Sequence, residues 1–389
     1  MKFIISILFI STASIFFYSN KELPNVVALD TQLSNIATSE KDKSELIQTI
    51  IDAYVTDHDV PALVVGLVEN GAVNSILNKG ILERGESASA NGNSIFQIAS
   101  LSKSFTGIIA RSLEEEGLID LHASIADYFP KNTSKNILEK LQPLTVKDLL
   151  VHHAGFPRDA KNLKRGMFGG PVIGTYTEED LFDDLEKMQL EFEPRTNWSY
   201  SNLAFSCIGY LLERVSGMSY EALLKKYVAE KYGLENTVIN LNEQQKREHL
   251  ATAYRPEWNT ISVRSSDFGK QTPASGIYST VEDLTKLMIA QMKAYQNFET
   301  NDTPLILTRE KIPMGIEGES PNYGFGFFEV MSNQDPKTLN LGHNGDFDGF
   351  ASCYIFFPNL NVGLVMLTSS GGQWFWEMQE RIQEVIIKS

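Results

Sequence analysis

The stretch Ile98-Ala99-Ser100-Leu101-Ser102-Lys103-Ser104-Phe105 places a serine and a lysine three residues apart at the start of an apolar helical pattern. The predicted apolar face consists of Phe105, Ile108, Ile109 and Leu113. Ser100 and Lys103 then share one helix face, where a lysine with a burial-lowered pKa can take the proton of a serine hydroxyl. The alternative is that Ser100 caps the helix, and the tetrapeptide alone favours capping.

Helical periodicity continues through the middle of the chain, whereas strand patterns lie towards its two ends. The first predicted helix lies around Leu46–Tyr54. The others are Phe105–Glu116, Val146–Leu150, Glu178–Met188, Leu203–Val215, Tyr220–Lys231, Val281–Lys293 and Phe375–Ile387. Predicted strands are Ala62–Val68, Ala72–Leu77, Tyr323–Met331, Thr338–Leu341, Phe350–Phe357 and Val362–Leu367. The first two strands flank Asn70-Gly71, a dipeptide typical of tight hairpins. The pattern predicts an α/β (α+β) fold, in which an antiparallel sheet from both chain ends is flanked by helices and carries a mainly helical insertion at about 105–270.

The N-terminus is predicted to be an export segment, because Lys2 precedes the apolar run Phe3–Tyr18. We assign residues 1–28 to an export signal or anchor, 29–44 to a polar linker and 45–389 to the folded domain. The protein is therefore expected to be exported to a periplasmic or extracellular location. An uncleaved segment that tethers the protein to a membrane is the alternative.

Composition excludes several function classes. The 389-residue chain has a net charge of −15, which argues against nucleic-acid binding. Cys207 and Cys353 lack metal-site spacing and are expected to be buried small hydrophobic residues, with a disulfide as the alternative. The common lipase, P-loop, zincin and dinucleotide motifs are absent from the sequence, so no metal or cofactor is expected.

A second polar cluster, Trp198-Ser199-Tyr200-Ser201-Asn202, precedes the helical pattern of Leu203–Val215. Tyr200 and Asn202 are two residues apart and face the same side if the chain is extended there. A tyrosyl oxygen can relay a serine proton, and an asparagine amide can hold a substrate carbonyl. Helix capping by Ser201 or Asn202 is the alternative for this cluster.

A third cluster, Gly342-His343-Asn344-Gly345, is predicted to follow the strand Thr338–Leu341. Its glycines allow a ligand to approach the backbone closely. His343 is the histidine that we expect to be functional. The adjacent residues His152 and His153 are not spaced as a metal pair.

Taken in order, Ser100-Leu101-Ser102-Lys103, Tyr200-Ser201-Asn202 and His343-Asn344-Gly345 resemble the S-x-x-K, Y-x-N and K-T-G or H-x-G boxes of the class C β-lactamase-like serine hydrolases. The stretches 149–157 and 273–280 are similar to the L-L-x-H-x-S-G-x-P and P-A-G-G-L-x-S-T segments of that superfamily. The resemblance covers roughly residues 45–389, and the superfamily includes β-lactamases, D-alanyl-D-alanine carboxypeptidases, D-aminopeptidases and esterases.

The resemblance implies a role for each matching residue. Ser100 is the expected acylated nucleophile, and Lys103 and Tyr200 are the expected proton-transfer pair, with the identity of the general base left open. Asn202, His343 and Gly345 are expected to bind substrate. The backbone N–H groups of Ser100 and Asp346 are expected to form the oxyanion hole. His152 is expected to be a structural residue of its turn.

One departure from the family pattern bears on the substrate. Lactamases and carboxypeptidases of the superfamily typically carry a lysine at the start of the third box, whereas this chain has His343, which is mostly neutral at pH 7. This departure favours a D-amino-acid peptide or amide or an ester as substrate, and a β-lactam stays a further candidate. A catalytically silent relative that binds peptidoglycan fragments or a protein partner is the alternative. The sequence does not predict an oligomeric state.

Overall fold

The computed structural model describes residues 43–164, 175–256, 258–263, 265–296, 303–305, 311–315, 321–331 and 335–388. The predicted export segment and most of the linker lie outside these residues. Among the described helices, none is long and apolar enough to cross a membrane.

Helices fill the middle of the chain and also occur near both ends of the described part. The helices are α1 (Lys43–His58), α2 (Ser102–Glu115), α3 (Lys135–Leu141), α4 (Val146–Leu150), α5 (Glu178–Lys187), α6 (Asn202–Ser216), α7 (Tyr220–Leu224), α8 (Glu230–Tyr232), α9 (Glu243–Glu248), α10 (Thr272–Ser275), α11 (Val281–Gln296) and α12 (Gln373–Lys388). A π-helical turn, Lys225–Ala229, connects α7 to α8, so the predicted helix Tyr220–Lys231 is one continuous helical stretch with a widened turn in its middle.

The strands are β1 (Ala62–Glu69), β2 (Ala72–Gly80), β3 (Phe96–Gln97), β4 (Ala253–Arg255), β5 (Trp258–Val263), β6 (Tyr278–Ser279), β7 (Ile312–Pro313), β8 (Asn322–Gly324), β9 (Phe327–Val330), β10 (Asn340–Phe347), β11 (Phe350–Phe357) and β12 (Val362–Thr368). Eight of them form one sheet in the order β2-β1-β12-β11-β10-β9-β8-β7. The N-terminal hairpin thus pairs with the last strand, since β1 lies antiparallel to β12. This topology confirms the predicted antiparallel sheet built from both chain ends.

The sheet is covered on both faces. In β1, Leu63 and Val65 pack with α1 and α12, whereas Val64 and Val68 belong to the larger core that contains the helical region. This alternation follows from the two-residue period of a strand, and it explains why β1 is apolar at nearly every position. The predicted hairpin turn is confirmed by positive φ angles of 52° at Asn70 and 76° at Gly71.

Three predictions about the strands are wrong. The segment predicted as one strand, Tyr323–Met331, is two antiparallel strands, β8 and β9, that turn at Phe325-Gly326. Strand β10 does not end at Leu341 but runs through the third cluster to Phe347. Strand structure also occurs before the C-terminal region, because β4 and β5 form a small hairpin within the mainly helical stretch.

The β8–β9 turn holds α2 in place. Ser104 Oγ donates a hydrogen bond of 2.5 Å to the Gly326 carbonyl. The backbones approach so closely that a Cβ atom on Gly107 would lie 2.1 Å from the Phe325 oxygen, and one on Gly326 would lie 2.4 Å from the Lys103 oxygen. Glycine is required at Gly326 for a second reason, since its φ is +83°.

We expect Gly326→Ala to reduce the free energy of unfolding by about 2–4 kcal/mol, because it combines a left-handed backbone with a clash against α2. The matched control is Gly117→Ala. Gly117 also has a positive φ, but a Cβ atom added to it would meet no other atom within 4 Å, and the expected loss is about 1 kcal/mol. Urea unfolding of both variants measures the difference, and equal losses would contradict this account of the contact.

Candidate active site

Ser100 lies in a 3₁₀ turn, Ala99–Leu101, that leads directly into α2. Neither the turn nor α2 has a side-chain hydrogen bond at its N-cap, so the capping interpretation of Ser100 is wrong. Ala99 has a φ of +48°, a strained conformation for a residue with a Cβ. Hydrogen bonds of the neighbouring residue Ile98 stabilise this conformation. The Ile98 N–H donates to the Ile277 carbonyl, and the Ile98 carbonyl accepts from Ser352 Oγ. The fold therefore fixes the backbone on the N-terminal side of Ser100.

Lys103 is fully buried in the first turn of α2. Its Nζ donates hydrogen bonds of 2.7 Å to Asn202 Oδ1 and of 2.7 Å to the Ala274 carbonyl, and lies 3.5 Å from Ser100 Oγ. Burial lowers the pKa of the Lys103 amine well below its usual value. The structure thus brings together the serine and lysine of the first box and the asparagine of the second.

Tyr200 packs beside this amine, with the Lys103 Nζ 4.7 Å from its ring centroid. The side chain is 5% exposed, and burial raises the pKa of its phenol well above 10, against a smaller lowering by hydrogen bonding with Ser100. Tyr200 is therefore a neutral phenol at physiological pH, in contact with both residues of the first box.

Capping by Ser201 is confirmed for the second cluster, whereas the functional roles expected of Tyr200 and Asn202 stay predictions. Ser201 is the N-cap of α6, because its Oγ accepts from the Ala204 N–H. Asn202 begins the helix and directs its side chain to Lys103 instead. His152 supports this segment, since its Nδ1 accepts from the Ser201 N–H at 3.1 Å and its ring lies 4.5 Å from that of Tyr200.

His343 lies on β10 and is 1% exposed. Its ring centroid is 5.0 Å from that of Phe328, 6.1 Å from Tyr323 and 6.2 Å from Tyr200. A contact of 2.6 Å between its Nδ1 and the Asn344 carbonyl assigns the proton to Nδ1, because a carbonyl can only accept. Burial, with a smaller contribution from Lys103, lowers the pKa of His343 to about 3. The histidine is thus a neutral part of the site.

The third cluster also passes directly behind Ser100. Gly345 pairs with Ser352 of β11, and a Cβ atom on Gly345 would lie 2.3 Å from the Ile98 oxygen and 3.0 Å from the Ser100 nitrogen. No side chain fits in this gap. Asp346, the next residue, pairs with Ala351 and has an exposed side chain. Its assignment to the oxyanion hole stays a prediction.

Sequence reasoning missed Arg158 and Asp159, which follow the turn that ends at Pro157. Asn202 Nδ2 donates a hydrogen bond of 2.7 Å to Asp159 Oδ1, and the Asn202 N–H donates to the Arg158 carbonyl at 2.7 Å. The Arg158 guanidinium carbon lies 5.2 Å from the Tyr200 ring centroid. The sequence signal that could have identified them was their position directly after the segment 149–157, which is similar to a segment of the superfamily. Charged residues in a turn are, however, ordinarily solvated, so their type gave no warning.

The two cysteines are free and buried, which confirms the expectation of small hydrophobic side chains and not the disulfide. Cys207 lies on α6 and Cys353 on β11. Burial raises the pKa of both thiols, so they are not reactive thiolates at neutral pH.

The fold and the family match together place the chain in the class of the β-lactamase-like serine hydrolases. The family model described as Beta-lactamase matches residues 47–383, and the chain belongs to this family. The class C β-lactamase of Rhodobacter sphaeroides has the same fold, with a TM-score of 0.72 at 19% identity over 88% of this chain and 98% of that one.

Sequence relatives are distant. The chain is 24% identical to Protein flp of Staphylococcus aureus (strain MW2) over 352 residues, which is 89% of this chain and 67% of that protein. It is 27% identical to Beta-lactamase-like protein 4 of Dictyostelium discoideum over 286 residues, which is 69% of this chain and 49% of that protein. At these identities the comparisons establish the superfamily and leave the substrate open.

The low pKa of His343 predicts an acid-labile core. Between pH 6.5 and about 3, the unfolded chain binds a proton at this histidine and the folded chain does not, so the stability that is present above pH 6.5 is lost as the pH falls. We expect His343→Gln to reduce the slope of unfolding free energy against pH in this window by about 1.4 kcal/mol per pH unit. Urea unfolding from pH 7 to 4 measures the slope, with His122→Gln at an exposed position as control. An unchanged slope in His343→Gln would show that the pKa of His343 is not lowered in the folded protein.

Proposed function

We propose that the protein is a serine hydrolase that acts through an acyl-enzyme, with Ser100 as nucleophile and Lys103 as general base. The observation that carries this proposal is the buried Lys103 amine, which contacts Ser100 and has a pKa well below its usual value. A serine hydroxyl needs such a base, because the alcohol itself is a weak nucleophile.

The lowered pKa of Lys103 favours the neutral amine, and the hydrogen-bond partners of Nζ accommodate that form. A neutral amine has two N–H donors and one lone pair, whereas an ammonium has three donors and no acceptor. Two acceptors lie at 2.7 Å, Asn202 Oδ1 and the Ala274 carbonyl. In the neutral amine these two acceptors take both donors, and the lone pair is free for the proton of the Ser100 hydroxyl 3.5 Å away, whereas an ammonium would donate to all three oxygens. This distance is long, as is common before substrate tightens a catalytic hydrogen bond.

In the proposed acylation step, Ser100 Oγ attacks the substrate carbonyl carbon while its proton passes to Lys103. Tyr200 relays this proton to the leaving alcohol or amine as the scissile bond breaks, which leaves the acyl group on Ser100. Water then attacks the ester and releases the acid, and Ser100 regains its proton. The backbone N–H groups of Ser100 and Asp346 are the proposed oxyanion donors. Tyr200 suits a relay better than a base, because its raised pKa keeps the phenol protonated.

The proposed substrate is an ester or a D-amino-acid amide or peptide. His343 occupies the position where a lysine would supply a fixed charge for a substrate carboxylate, and its pKa of about 3 makes it neutral throughout the physiological range. A neutral imidazole forms hydrogen bonds but adds no net charge, so it anchors a carboxylate less strongly than an ammonium. This favours substrates other than penicillins. We further propose that the protein acts after export, as its N-terminal apolar run predicts.

Ser100→Ala and Lys103→Ala should each lower kcat/KM for short p-nitrophenyl esters by at least about 10³-fold, because each removes one member of a nucleophile and base pair. Ser112→Ala is the matched control. It removes another buried hydroxyl from the same helix, one that donates to the Ile108 carbonyl, and should retain activity. Intact-mass analysis with a fluorophosphonate probe should show one adduct in the wild type and none in Ser100→Ala. If Ser100→Ala turned over these esters at the wild-type rate, the proposed mechanism would be wrong.

A substrate panel tests the inference from His343. We expect a higher kcat/KM for p-nitrophenyl esters or D-aminoacyl p-nitroanilides than for nitrocefin, because nitrocefin carries a carboxylate that His343 does not neutralise. The Ser100→Ala protein measures the background for each substrate. Preferred hydrolysis of nitrocefin would show that neutral His343 does not exclude β-lactams.

A further inference from the structure

We propose that Asp159 and Arg158 are positioning residues that orient Asn202 and act on Lys103 with opposing charges. The proposal rests on the proposed role of Lys103 as the base. Neither residue belongs to the three boxes, and both directly follow the turn that ends at Pro157 and contact Asn202 at the start of α6.

Asp159 fixes which way the Asn202 amide points. An ionised carboxylate is an acceptor only, so the Asn202 atom 2.7 Å from Asp159 Oδ1 has to be the amide nitrogen. The amide oxygen is then turned towards Lys103 Nζ, which it meets at 2.7 Å. A flipped amide would place its NH₂ group against the N–H donors of Lys103 and lose both hydrogen bonds. Asp159 thus acts on the lysine through Asn202.

Arg158 brings the opposite charge to the same place. Its carbonyl accepts from the Asn202 N–H, its guanidinium carbon lies 5.2 Å from the Tyr200 ring, and its Nε is 3.8 Å from Asp159 Oδ2. The side chains of Arg158 and Asp159 are 45% and 50% exposed. Solvent therefore weakens their effect on Lys103 without removing it.

The other titratable groups that face Lys103 are neutral in the working range. His343 has a pKa of about 3, the pKa of His152 is well below its usual value because of burial, and burial raises the pKa of Tyr200. Asp159 raises the pKa of Lys103, and Arg158 lowers it. Among the described residues around this amine, these two supply the nearby net charges, so their balance adjusts how much neutral Lys103 is present.

The pH dependence of kcat/KM with p-nitrophenyl acetate tests the charges. Activity that needs neutral Lys103 rises with pH through the pKa of that lysine. Asp159→Asn keeps an acceptor oxygen for Asn202 but removes the negative charge, so this rise should move to lower pH. Arg158→Gln removes the positive charge and should move it to higher pH. Arg158→Lys, which keeps the charge, should leave it in place.

Comparison of Asp159→Ala with Asp159→Asn separates the loss of the hydrogen bond to Asn202 from the loss of the negative charge. This variant leaves the Asn202 amide nitrogen without its carboxylate, and we expect kcat/KM at the optimum to fall roughly tenfold. Asp159→Asn should restore most of that loss. Thermal unfolding of each variant checks that the fold is intact, since a merely structural role would change stability without moving the pH profile in opposite directions.

A carbon-13 NMR titration measures the same effect without turnover. The ε-carbon resonance of Lys103, identified by its loss in Lys103→Gln, should titrate at lower pH in Asp159→Asn and at higher pH in Arg158→Gln. A wild type that hydrolyses no substrate would refute the proposed function while this titration still decides the inference. Shifts in the same direction, or no shift in either variant, would overturn the inference while leaving the hydrolase mechanism intact.

Discussion

The hydrogen bonds from Lys103 to Asn202 and to the Ala274 carbonyl join three elements that are far apart in the sequence, α2, α6 and α10. A buried amine is costly unless its polar atoms are paired. The pairing of Lys103 therefore constrains how these helices pack, and the same constraint places Ser100 and Tyr200 beside the amine. Burial lowers the pKa of Lys103, so the arrangement that constrains the packing of these helices also favours the neutral amine that the proposed base requires.

The rest of the fold holds α2 in position for this contact. Close backbone approaches at Gly107, Gly326 and Gly345 press the helix and the preceding turn against the β8–β9 turn and β10. These approaches leave no room for side chains, so the position of Ser100 depends on backbone contacts with the β8–β9 turn and with β10. Backbone contacts of this kind can hold Ala99 in its strained conformation, which has a φ of +48°.

Much of the fold and of the candidate site could be predicted from the sequence. The order of the three clusters anticipated that Ser100, Lys103, Tyr200 and Asn202 meet, because their types match a known chemical pattern. The extension of β10 through the third cluster could not be predicted, since Asn344 and Gly345 are poor strand formers that tertiary pairing with β11 overrides. Arg158 and Asp159 were missed for a related reason. The role that we propose for them depends on contacts with Asn202, which lies 43 residues after Asp159, and no local sequence pattern indicates such contacts.

The protonation state of Lys103 at neutral pH is the central claim, and nitrogen-15 NMR of selectively labelled lysine tests it most directly. The resonance that disappears in Lys103→Gln should have the shift of a neutral amine at pH 7 and should move to that of an ammonium only on acidification. An ammonium at pH 7 that loses its proton together with the exposed lysines would contradict the account and would leave Ser100 without its proposed base.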